Sequence, residues 1–436
     1  MKMKLVPALG CLLVAVVGLC EADSSPIPSL EQRLIDFGLK LATVLNGPSL
    51  PILTASAYDP SDWWKILQDR IPENTKFPCL YTEDKPVWRS RRSPTSVHQL
   101  RPGDIDVVMT LGDSLSAGAA ARELTPLGLT VDDRGVSFVG GGEETWRKYT
   151  TLPNILKVFN PNLYGYATGK GPYFSESAKL NVAITGAADY DILFQAMYLY
   201  NKSVEDPKVN MEEDWKLINI LIGQNNICSY QCSHPVQNSP DAHKTRLQEV
   251  LDFIQEKFPK TFVNLISVLD TTLAARYPES TACELIRPVT CPCLLVTPDL
   301  EDNIVKMSAV VREYQKKEKE LASDDRYKNK EDFTVVWQPF LLSTNAPLTR
   351  GAPETRVFSK VFTRTLPILT EECVHFNQRG SALVARTLWN NMLEPVGKKT
   401  KTLKDIFFQG IKCPTKKNPY LFTEKNSETY RKYCHQ

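Results

Sequence analysis

The 436-residue chain lacks an excess of either charge: 52 Lys and Arg stand against 50 Asp and Glu, for a formal net charge of +2. Without a basic stripe there is no electrostatic footprint for nucleic acid, which is excluded as an expected partner. Histidine is scarce, at five residues, so imidazole chemistry has few candidates. After the first 20 residues or so, no apolar run is long enough to span a bilayer. The end, Asn426 to Gln436, is polar, so neither a transmembrane tail nor a lipid-anchor signal is expected there. Internal repeats and low-complexity tracts are missing. Gly140-Gly141-Gly142 is not a phosphate loop, because the required lysine and spacing do not follow.

What is present begins with a basic start, Met1-Lys2-Met3-Lys4, and an apolar run from Leu5 to Leu19 followed by Cys20-Glu21-Ala22. Together these predict a signal peptide over residues 1–22 and an exported protein. Nine cysteines then remain: Cys79, Cys228, Cys232, Cys283, Cys291, Cys293, Cys373, Cys413 and Cys434. In an oxidising compartment they predict several disulfides, with one thiol left over or paired between chains, and no connectivity follows from sequence. The competing zinc reading of Cys291-Pro292-Cys293 lacks the spacing of a structural site. Asn201-Lys202-Ser203 is a glycosylation sequon expected in a loop. Arg89-Ser90-Arg91-Arg92 reads as an exposed basic turn or a processing site.

Apolar residues at helical spacing, Leu30, Leu34, Phe37, Leu41 and Leu45, predict a helix that stops at Asn46-Gly47-Pro48. Residues 51–102 are rich in proline and polar side chains, and are expected to wrap the core. Extended segments are predicted at Val107–Leu111, Lys179–Ile184, Trp215–Ile222, Thr261–Val268 and Phe333–Pro339. Helical patterns run through Asp189–Tyr200, Asp241–Phe258 and Asp302–Leu321, and from about Phe376 to Leu393. Strands that alternate with helices predict a parallel sheet covered on both faces.

Within this pattern Val107-Val108-Met109-Thr110-Leu111-Gly112-Asp113-Ser114-Leu115 reads as strand, tight turn and helix start. Ser114 thus stands at the carboxyl end of a strand, where open α/β sheets bind ligands. Asp113 or Ser114 as a simple helix cap is the plain alternative. A serine nucleophile needs a base and an orienting acid. His375 lies at the mouth of the last helix, with Glu372 three residues upstream and Glu371 as the neighbouring acid. The other histidines are His98 before the core, His234 and His243 around one loop and helix, and His435 in the tail.

Gly112-Asp113-Ser114-Leu115, Gly186 after a strand, Gly223-Gln224-Asn225 after the next, and an acid three before His375 resemble the GDSL or SGNH hydrolase family. A more specific resemblance is to the repeats of membrane-associated phospholipase B. It rests on Asp104-Ile105 to Ser114, Thr151-Leu152-Pro153-Asn154-Ile155-Leu156, Trp215-Lys216, Glu331-Asp332-Phe333-Thr334-Val335-Val336, and Leu388-Trp389-Asn390-Asn391-Met392-Leu393-Glu394-Pro395-Val396-Gly397.

The resemblance implies a flavodoxin-like three-layer α/β/α sandwich with a mainly parallel sheet, the hydrolase unit covering residues 103–397 between extensions at 23–102 and 398–436. It also implies a cofactor-free, metal-independent acyl hydrolase acting on phospholipid or lysophospholipid esters, with transient contact to lipid surfaces. On this sequence Ser114 would be the nucleophile, His375 the base and Glu372 its partner. The Ser114 and Gly186 amides and the Asn225 side chain would form the oxyanion hole. Two residues depart from the family pattern: Glu372 stands in place of aspartate, and Asn226 in place of the aspartate that ends Gly-x-Asn-Asp. Two rivals remain: a catalytically weakened lipid binder on the same fold, and an esterase acting on other esters.

Overall fold

The computed structural model describes residues 29–45, 60–81, 88–270, 272, 281–350, 368–401 and 410–434. The expected leader, the Asn46-Gly47-Pro48 stop, parts of the 51–102 extension and His435 lie outside them. In chain order the main elements are α1 (Leu30–Leu45), β1 (Val107–Gly112), α2 (Leu152–Phe159), α3 (Ile192–Glu205), β2 (Lys216–Leu221), α4 (Pro240–Lys257), β3 (Thr261–Ile266), α5 (Thr281–Thr290), α6 (Leu300–Ala322), β4 (Phe333–Gln338), α7 (Gln378–Met392) and α8 (Glu424–Cys434).

The four strands form a parallel sheet in the order β1-β2-β3-β4. Of their side chains only Trp337 is less than fully buried, which is why the strands read as continuous apolar runs. Alternation assigns each residue to a layer. Met109, Leu111, Ile218, Ile220, Val263 and Val335 pack with α3 and α4 on one face. Val108, Leu217, Leu221, Phe262, Ile266 and Val336 pack with α2 and α7 on the other. The result is the three-layer α/β/α arrangement.

That second face also carries a buried polar row. Thr110, Asn219 and Asn264 stand opposite one another in register. Asn264 Nδ2 donates to Asn219 Oδ1 at 2.8 Å, and Gln338 Nε2 donates to Asn264 Oδ1 at 2.8 Å. Pairing of this kind removes most of the cost of burying amides.

Two expectations need correction. Lys179–Ile184 lies beside β1 and hydrogen-bonds to it, Thr110 N to Leu180 O at 3.0 Å, Val182 N to Thr110 O at 2.9 Å and Ile184 N to Gly112 O at 3.0 Å, but as an isolated parallel bridge between Asn181 and Thr110 and not as a full strand. Lys179 has φ of 46°, and Arg134 covers the segment's far edge by donating to the carbonyls of Asn181 and Ala183 at 3.2 and 2.8 Å. With those carbonyls occupied, no further strand can pair there. The Asn201 sequon lies inside α3 and not in a loop; Ser203 is buried and donates to Leu199 O at 2.7 Å.

Among the described residues, four disulfides join Cys79 to Cys413, Cys228 to Cys291, Cys232 to Cys293 and Cys283 to Cys373. Cys291 and Cys293 are therefore engaged as disulfides, which removes the zinc reading of that pair. The side chain of Cys434 lies outside the described residues. Among the described residues, no helix is long and apolar enough to cross a membrane.

Candidate active site

β1 ends where the backbone must turn sharply. Gly112 has φ of +145°, and a Cβ there would lie 2.3 Å from Leu221 O and 2.6 Å from Ser116 Oγ. Only glycine fits so close an approach. A single helical turn, Ser114–Ala117, follows; its cap is Asp113, whose carboxylate accepts from the Leu115 amide at 3.0 Å. Capping and exposure are thus divided between neighbours: Asp113 closes the turn, and Ser114 lines a cavity. Gln195 of α3 braces the turn, accepting from Gly112 N at 2.8 Å and donating to Gly112 O at 2.9 Å.

His375 reaches the same place from the segment before α7. Its Nε2 lies 2.6 Å from Ser114 Oγ, and its Nδ1 lies 2.6 Å from Glu372 Oε1. A carboxylate at Nδ1 places the ring proton there, so the Nε2 lone pair faces the serine hydroxyl. Glu372 also accepts from Val374 N at 2.7 Å and from the Thr370 hydroxyl. Both ring nitrogens are thereby engaged, and the acid at Nδ1 is Glu372, not its sequence neighbour Glu371. The remaining described histidines have other partners. His98 bonds Thr423 and Lys330, His234 bonds Ser233, and His243 bonds Asp189.

The electrostatics suit this arrangement. Burial disfavours charge on His375, but Glu372, assisted by Asp113 and Asp132, outweighs it and raises the imidazole above its ordinary pKa. Burial works against the Glu372 carboxylate too. Contacts with His375, Thr370 and the Val374 amide hold it below the usual range nonetheless. Asp113 is pushed up to about 7 by burial. The Gln224 amide, oriented to satisfy its neighbours, donates to Asp113 Oδ2 at 2.6 Å and accepts from Leu269 N at 3.2 Å.

Gly186 and Asn225 line the cavity together with Ser114 and His375. Gly186 adopts φ of 82°, and Asn225 Nδ2 donates one hydrogen to Ala187 O at 2.8 Å, which ties the two loops together. Asn226 points away from the cavity into a buried network. It accepts from Asp189 N at 2.9 Å and donates to Asp189 Oδ1 and Asn238 Oδ1, each at 2.8 Å. Asp189, the carboxylate partner of Asn226, also binds His243 at 2.9 Å and Arg246 at 2.8 Å. Flanked by Asp189 and by Glu318, His243 is raised to about 9 despite complete burial.

Several supporting residues escape a motif-based reading: Gln195, Gln224, Thr370, Asp189 and the Cys283–Cys373 bond. Gln195 alone leaves a trace in sequence, as a polar residue on the buried stripe of α3 that includes Ile192, Ala196 and Leu199.

The chain is similar to known proteins. Rat membrane-associated phospholipase B1 is 38% identical over 360 residues, 82% of this chain and 23% of that protein. The human protein of the same name is 38% identical over 359 residues, again 23% of its length. This chain thus spans about a quarter of the curated relatives it matches. Among solved structures, an acetyl xylan esterase from Geobacillus stearothermophilus aligns with a TM-score of 0.34 and 14% identity, covering 65% of this chain and 94% of that one. An extracellular lipase from Streptomyces rimosus aligns at 0.29 and 17%, covering 63% and 94%. The GDSL-like Lipase/Acylhydrolase family matches residues 108–388, well over half of the chain, from the β1 strand through α7, and it is to this family that the protein belongs.

Proposed function

We propose that the protein is a secreted serine hydrolase that cleaves fatty-acyl esters of glycerophospholipids and lysophospholipids. The observation that carries this reading is the unbroken chain from Ser114 Oγ through His375 to Glu372, with both links at 2.6 Å. Ser114 Oγ attacks the acyl carbonyl as its proton passes to His375 Nε2, and Glu372 stabilises the imidazolium. Negative charge on the carbonyl oxygen is met by the Ser114 and Gly186 amides and by the free hydrogen of the Asn225 amide. The alcohol departs with the proton from Nε2 and leaves an acyl-serine. Water then attacks that ester as its proton passes to His375, and His375 returns the proton to the departing Ser114 Oγ, which releases the fatty acid and restores the free enzyme.

The phospholipase B relatives support lipid esters as the substrate class. Four disulfides support an oxidising, extracellular destination. We place the hydrolase unit at residues 103–397, with residues 23–102 and 398–436 as extensions. Fatty-acid release from lysophosphatidylcholine tests the reading: Ser114→Ala should secrete normally and release nothing, whereas equal release by the variant would overturn it.

A further inference from the structure

A fatty-acyl ester must leave the Ser114 site along an apolar surface. In this chain part of that surface comes from α1, a helix that precedes the family-matched region. The cavity holding Ser114 and His375 is lined by Leu115, Leu269 and Leu369 and by Phe37 and Leu129; α1 contributes Arg33, Asp36 and Lys40 to the lining besides Phe37. Phe37 and Leu129 belong to one apolar cluster, backed by Leu127, Leu285 and Ile286. The helix is pinned one turn earlier. Arg33 is buried, with Nη2 at 2.5 Å from Asp191 Oδ1 and its guanidinium 4.4 Å above the Tyr190 ring. Phe37 is therefore a fixed wall of the catalytic cavity.

We propose that this wall is the acyl-chain site: the chain of the bound ester lies along the surface that Phe37 and Leu129 present to the cavity, and α1 sets which chain lengths are cleaved. The proposal rests on the ester-hydrolase reading and deepens it. With Gly186 and Asn225 taken up by the carbonyl oxygen, the methylenes are left the apolar lining to which Phe37 and Leu129 belong. Each methylene buried there strengthens binding by roughly fourfold, so chain length is read as affinity for the wall.

The test compares kcat/KM for p-nitrophenyl octanoate and acetate in the full-length protein. Phe37→Ala should lower the octanoate-to-acetate ratio by about tenfold, the effect of a few lost apolar contacts. Leu129→Ala, on a separate segment, should do the same. Phe37→Trp, which adds bulk to the cavity wall, should move the preferred chain to a shorter length. A second readout is independent of chemistry. In the Ser114→Ala background, Phe37→Ala should weaken binding of an alkyl-ether lysophosphatidylcholine, which has no ester to cleave, by about tenfold. An unchanged ratio with unchanged affinity, or an equal loss on both esters, would overturn the proposal. Absence of all ester cleavage with affinity still sensitive to Phe37 would instead sink the enzymatic reading and leave the acyl site standing.

Discussion

Glu372 Oε1 lies 2.6 Å from His375 Nδ1 although the carboxylate hangs on a side chain one methylene longer than aspartate. The intervening backbone makes room for it. Cys373 adopts a left-handed φ of 67°, and the loop folds so that the amides of Val374 and His375 also point at the carboxylate.

The first prediction concerns pH. Glu372 raises the pKa of His375, and catalysis needs the neutral imidazole, so kcat/KM should rise with pH through a value above the ordinary histidine one. Glu372→Gln removes the charge that holds the proton. Its acid limb should shift to lower pH while kcat falls roughly 10³- to 10⁴-fold, as when the acid of a serine triad is neutralised. A limb that stays put or moves upward would show that Glu372 does not face the working imidazole.

The Cys283–Cys373 disulfide predicts a second outcome. Cys373 sits between Glu372 and His375, and its partner lies on α5, so the bond ties the loop carrying both residues to a helix beside the cavity. Replacing both cysteines with serine should lower kcat about 10- to 100-fold with a smaller change in KM, because a displacement of about an ångström is enough to misalign proton transfer. Steady-state kinetics on a soluble ester measures this. An unaltered kcat would mean that the loop holds its shape without the bond.

Asn226 yields a stability prediction. Its amide donates to Asp189 and Asn238 oxygens, so Asn226→Asp would set a second carboxylate against Asp189 inside a buried network. The variant should lose on the order of 1–3 kcal/mol, read as a lower urea midpoint at unchanged slope. Equal or greater stability would mean that the buried network accommodates a second carboxylate beside Asp189.

Much of this architecture can be read from residue patterns, for physical reasons that also mark where reading fails. The runs at 107–111, 215–222, 261–268 and 333–339 are apolar because both faces of those strands are covered, and each formed a strand. Lys179–Ile184 reads in the same way, but it forms only an isolated bridge beside β1, and its outer carbonyls are taken by Arg134, more than forty residues away in sequence. Ser114, His375 and Glu372 stood out because chemistry restricts their residue types. Gln195 and Thr370 did not, because an amide or hydroxyl acquires its role from a tertiary partner. Disulfide connectivity was equally hidden, since the paired cysteines are 61 to 334 residues apart.

Asn225 should matter nearly as much as the serine. One of its amide hydrogens is held by Ala187 O, which fixes the direction of the other. Asn225→Ala should reduce kcat by about 10²- to 10³-fold, the effect of losing one oxyanion donor. Near-normal kcat with raised KM would assign the residue to ground-state binding instead.

The most direct measurement of the central claim is covalent labelling with a fluorophosphonate, followed by mass spectrometry of the digested protein. The reagent reacts with a serine only where a base and an anion-stabilising site already surround it. A single adduct on the peptide containing Ser114, lost in His375→Ala, is the predicted result. An intact, folded protein that carries no adduct, or one labelled equally without His375, would contradict the account.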